Sequence, residues 1–190
     1  MSLSAARLSS LALALTLPAL ALAGETPRNV SVPEHGSFEI SLPSGWRYST
    51  EPASPTDTDT EKSAPDDAVQ GDTLRLDPAH GTRFTFHATP AWVPADRRDA
   101  RQATTWMRVR LHGQTVEQDI PIQEFQGKRN KVYWFKATNK MPTPGEKSVL
   151  VQGAATVGEL IVGFTLLYFP GEIPEKDLVL QALGNAKHVP

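Results

Sequence analysis

The sequence predicts an α+β fold: an antiparallel sheet of about six to seven strands flanked by helices on both faces, an α/β/α sandwich. Three observations predict it. Strand-length runs alternate apolar and polar residues across short turns rich in Gly and Pro, the pattern of antiparallel neighbours. The run LVQGAATVGELIVGFTLLYFPG, residues 150–171, splits at Gly158-Glu159 into two arms, and the second arm is apolar on both faces. Two amphipathic stretches, one within 95–113 and one starting at Pro174, supply helices to cover such a sheet.

The first residues read as an address. Arg7 precedes an acid-free apolar run, Leu8 to Leu17, then Pro18 and the small-x-small triplet Ala21-Leu22-Ala23. That order is a cleavable signal peptide, residues 1–23, too short for a span of about 20 apolar residues. The expected mature chain, 24–190, is one domain, periplasmic or secreted. With no Cys in the chain, disulfides are excluded as staples and burial must supply the stability. A formal charge of −2 is too mild to point to nucleic acid or to a strongly charged membrane.

Phe38, Ile40 and Leu42 alternate with polar residues as in a half-buried strand, Pro43-Ser44-Gly45 turns the chain, and Trp46 and Tyr48 resume an extended piece. Residues 50–71 are rich in Pro, Ser, Thr and acid, with almost nothing to bury, and read as a mobile acidic loop. Leu74 and Leu76, the turn Ala79-His80-Gly81, then Phe84, Phe86 and Ala88 make a hairpin. The helix that follows has Ala100, Ala103, Trp106, Met107 and Leu111 on one side and Arg97, Arg101 and Arg108 on the other, with Asp96 and Asp99 in its first turn. Thr115–Gln126 and Lys131–Ala137 are β-rich runs around the turn Gly127-Lys128-Arg129-Asn130, and 139–147 is a second loop. The greasy 150–171 run is a β-hairpin and not a membrane span: its β-branched and aromatic content favours strands, and Glu159 near its centre would cost about 2.5–3.5 kcal/mol in a bilayer. The closing helix places Leu178, Val179, Ala182, Leu183 and Ala186 on one face.

The segment FEISLPSGWRYS, the hairpin VLVQGAATVGELIVGFTLLYF and the helix PEKDLVLQALGNAKHV together resemble the Mog1/PsbP-like superfamily, including its small exported bacterial members. The resemblance follows the order of elements over nearly the whole mature chain. It implies an α/β/α sandwich and an accessory, non-catalytic role such as binding a partner protein, and it brings no catalytic motif to carry over.

Chemical motifs are sparse. No two of the five histidines have helical metal spacing. His80 and His87 lie across one hairpin with Asp77 nearby, which allows a surface metal site, although single histidines on a hairpin are commonly ordinary polar residues. Asp57-x-Asp59-x-Glu61 opens like a calcium loop, but Lys62 and Ala68 stand where Gly and Glu are needed. There is no Gly-x-Ser-x-Gly elbow and no glycine-rich phosphate cradle. The reading is therefore a non-enzymatic, cofactor-free binding or accessory protein of the cell envelope. Arg97, Arg101 and Arg108 on the helix and Lys128 and Arg129 on the turn are the candidate contacts for an envelope protein partner. The alternative is a small-ligand or metal carrier, using His80, His87 and Asp77 or a pocket between the sheet and the Arg97–Leu111 helix.

Overall fold

The computed structural model describes residues 26–43, 46–52, 68–77, 84–172 and 176–190. The expected leader 1–23, most of the acidic segment (53–67), Ser44-Gly45, the Ala79-His80-Gly81 turn and Pro174-Glu175 lie outside the described residues, as does the side chain of Asp77. In chain order the elements are β1 (Thr26–Ser31), β2 (Ser37–Leu42), β3 (Arg47–Glu51), β4 (Val69–Gln70), β5 (Thr73–Asp77), β6 (Thr85–Trp92), α1 (Ala100–Arg110), β7 (Gln123–Gln126), β8 (Lys131–Thr138), β9 (Val149–Val157), β10 (Leu160–Tyr168), α2 (Lys176–Asn185) and β11 (Lys187–Val189).

Among the described residues, eight strands form one antiparallel sheet in the order β3-β5-β6-β10-β9-β8-β7, with β4 paired to β6. The greasy run forms the hairpin β9–β10 at the middle of this order, turning at Gly158, whose φ of 58° suits a residue without Cβ. Leu160, Val162, Phe164, Leu166 and Tyr168 of β10 are all buried. None of the described helices is long and apolar enough to cross a membrane.

The expected α/β/α sandwich does not form. The described chain is mostly strand, with two α-helices of 11 and 10 residues. The difference lies at the two ends of the domain. Thr26–Ser31 and Lys187–Val189 pair antiparallel with the two edges of β2 to make a separate three-stranded sheet, β1-β2-β11. Val30, Val32, Phe38, Ile40 and Leu42 join Leu74, Leu76, Phe86 and Leu166 in one core, so a small sheet covers a face for which helices had been expected. An apolar sheet face requires a cover but does not specify its secondary structure. Helix α2 contributes Val179, Leu180, Ala182, Leu183 and the following Ala186 to the same core. Leu178 is 43% exposed and Leu180 takes the buried place expected for it.

Helix α1 lies against β8, β9 and β10. Its N-cap is Asp99, whose Oδ1 accepts from the Arg101 and Gln102 amides at 2.8 and 3.0 Å, while Asp96 falls in a preceding 3₁₀ turn, Ala95–Arg97. Of the run expected to be β from Thr115 to Gln126, β7 alone forms as a strand. The residues before β7 pack as an irregular strap fastened by Glu117, which accepts from the Thr138 amide at 2.8 Å and its hydroxyl at 2.7 Å.

The turn Gly127-Lys128-Arg129-Asn130 closes the C-terminus of α2. The Arg129 and Asn130 amides donate to Gly184 O at 3.0 and 2.9 Å, and Asn130 Nδ2 donates to Leu183 O and Ala186 O at 3.1 and 2.8 Å. These donors satisfy carbonyls that the helix leaves unpaired. Gly127 meets Gly184 backbone to backbone: a Cβ on Gly127 would sit 2.3 Å from Gly184 Cα. Gly127→Ala should therefore lower stability by about 1–3 kcal/mol, read as a lower urea midpoint with an unchanged slope.

Glu117 supplies a pH dependence. Burial works to raise its pKa, but hydrogen bonds from the Thr138 hydroxyl and amide, its own amide and the Lys136 charge together hold it below its ordinary value of 4.5. Its stabilising contribution is present above pH 4.5 and is lost as the pH falls through the depressed folded value. Glu117→Gln should flatten the acid limb of the stability curve below that pH, measured by urea denaturation at a series of pH values.

Candidate functional site

The sheet face under α1 carries its polarity in rows, because β6, β10 and β9 are adjacent and in register. His87, Thr165 and Gln152 form one row, Thr89, Gly163 and Ala154 the next, and Ala91, Ile161 and Thr156 the third. Gln152 Nε2 donates to Thr165 Oγ1 at 3.2 Å, and the Thr89 hydroxyl bonds that of Thr73 at 2.9 Å. The middle row is small, and this lets the helix approach. Thr104, fully buried, donates its hydroxyl to Ala100 O at 2.8 Å and reaches Tyr133 O at 3.2 Å, while the Met107 methyl lies over Gly163.

Toward β6 the helix no longer covers the strands, and a cavity of about 510 Å³ opens between them. His87, Thr89, Gly163, Thr165 and Gln152 form its floor. Gln102, Ala103, Trp106 and Met107 of α1 form one wall, and Ala68, Gln70 and Val93 complete the lining. Arg97 and Asp99 stand at the edge. Trp106, expected in the apolar face of the helix, is 58% exposed there. Its place on the helix shoulder puts the indole beside the cavity instead of beneath α1. The lining offers hydrogen bonds on apolar walls, and its one carboxylate among the described residues, Asp99, already caps α1.

The candidate residues from the sequence do not come together. Arg97 borders the cavity. Arg101 is exposed beyond it, where its charge acts on Glu124; that carboxyl is held below its ordinary value first by the hydrogen bond from Lys131, 2.9 Å away, against some desolvation. Arg108 lies at the other end of the helix and donates to Ile120 O at 3.2 Å. Lys128 and Arg129 are exposed on the turn that closes α2, and the Lys128 amide donates to Asn185 Oδ1 at 3.1 Å. His87 lies in the cavity floor with its Nε2 shielded from solvent. Its register partner on β5 is Arg75. His80 and the Asp77 side chain lie outside the described residues, among which no three His, Asp or Glu side chains gather as a metal cluster.

Sequence reasoning passed over Gln152, Thr165, Gly163 and Trp106. A signal for three of them was present: within the greasiest hairpin of the chain, Gln152, Gly163 and Thr165 interrupt the second apolar face. No family model matches the chain, and no curated protein matches it. Because Trp106 is 58% exposed, Trp106→Ala should lower unfolding free energy by only about 1–2 kcal/mol, less than truncating a core aromatic, measured by urea denaturation.

Proposed function

We propose that the protein is an exported, non-enzymatic binding protein that holds a small molecule in the cavity between α1 and the β6–β10–β9 face. The observation that carries this reading is the cavity itself. At about 510 Å³ it falls within the roughly 300–1,000 Å³ of ordinary ligand sites. It combines apolar walls with a few converging polar groups, as such sites do. A protein partner is supported less well, because Arg108 and the backbone of the 127–130 turn already serve packing within the chain.

Native mass spectrometry of the protein purified gently from its own compartment tests this. The wild type should carry an excess of hundreds of daltons. Gly163→Leu should lose it, since the new side chain fills the floor where only the flexible end of Met107 stands near, 3.1 Å from the Cβ position. Affinity for the extracted compound should fall roughly tenfold or more, with the circular dichroism spectrum unchanged. An excess of kilodaltons that survives the substitution would instead support a protein partner.

A further inference from the structure

We propose that the occupant of this cavity is an uncharged aromatic molecule, an inference that rests on the binding function proposed above. The described lining contains one cation and one anion, Arg97 and Asp99, and both stand at the edge. Below them, no Lys, Arg, Asp or Glu side chain reaches the cavity among the described lining residues. His87 is the one other ionisable side chain of that lining, so a charged group carried to that depth would lose hydration worth several kcal/mol with no permanently charged side chain beside it.

What the floor does offer is neutral hydrogen bonding. Gln152 and Thr165 already share one hydrogen bond, at 3.2 Å. Whichever way the amide is turned, that pair keeps two further donors and acceptor sites on both groups. Neutral polar groups satisfy such a pair without the desolvation cost of an ion.

The aromatic character follows from the wall. Trp106 leaves 58% of its surface in water at the cavity edge, although α1 has a sheet beside it on which to bury an indole. A large flat π-face held there suits stacking against another ring. Across from it the floor is low, because Gly163 and Ala91 project little or nothing from the strands. A flat ring that stacks on the indole would displace the flexible end of Met107, which stands 3.1 Å from the Gly163 Cβ position.

Two fluorescent probes sharing one ring framework separate the possibilities: neutral N-phenyl-1-naphthylamine and its sulfonated counterpart, 1-anilinonaphthalene-8-sulfonate. Titrated into the full chain, the neutral probe should bind at one saturable site, and the sulfonate roughly tenfold more weakly or worse. Gly163→Leu should abolish the neutral probe's signal. Trp106→Ala, at an exposed position, should weaken it by roughly tenfold in a folded protein. Equal or tighter binding of the sulfonate, still sensitive to Gly163→Leu, would overturn the uncharged class and leave the binding site standing. Binding indifferent to both substitutions would overturn the inference by placing the probe elsewhere. Failure of both probes to bind would overturn the cavity as a ligand site, and this inference with it.

Discussion

The fold depends on burying one face of β10. Leu160, Val162, Phe164, Leu166 and Tyr168 form an unbroken apolar row at the centre of the main sheet, each worth roughly 1.5–3 kcal/mol when taken out of water. In a chain without cysteine, no covalent staple shares that task. Everything packed on this face can be understood as its cover: β2 with its alternating burial, β1 and β11 on either side of β2, and the apolar face of α2. The cover is assembled from opposite ends of the domain, so the strands nearest the two termini meet on β2, where Lys187 also pairs with Glu39 at 2.6 Å.

The opposite face is under no such demand, and its chemistry shows it. Along β10 the residues Ile161, Gly163, Thr165 and Leu167 point that way, and Ile161 alone is buried. Helix α1 packs where the strands carry Ala154, Tyr133, Phe135 and Ala137, and it leaves the β6 side of the sheet, with His87 and Thr89, uncovered. One face is therefore closed by a continuous apolar core, and the other is only partly roofed. The cavity is the consequence of a short helix meeting a wide sheet whose outer rows are small or polar.

Close backbone contacts hold the closing elements in register. Gly127 and Gly184 allow the β7–β8 turn to press against the end of α2, and the turn's own amides then terminate the helix. The basic side chains of Lys128 and Arg129 stand near the negative end of that helix dipole, a favourable placement independent of any partner. The turn that carries these two exposed side chains is itself part of a helix terminus. Glu117 does similar work for the strap that precedes β7, tying it to the end of β8 through Thr138.

The sequence by itself determined the local elements whose pattern is strong. The alternation of β2, the β5–β6 hairpin, the two-arm division at Gly158-Glu159 and the helix around Ala100–Arg110 each follow from side-chain period and turn chemistry, which act over a few residues. Tertiary structure alone decided what covers the sheet. β1 and β11 are short and weakly patterned, and they are strands because β2 offers them two open edges. The cavity was legible in part, as polar and small residues in the second face of a greasy hairpin. That Gln152, Thr165 and His87 share one row depends on strand register, and that Trp106 stands beside them depends on where α1 settles. Both are set by packing between segments distant in sequence, and neither periodicity nor composition carries that information.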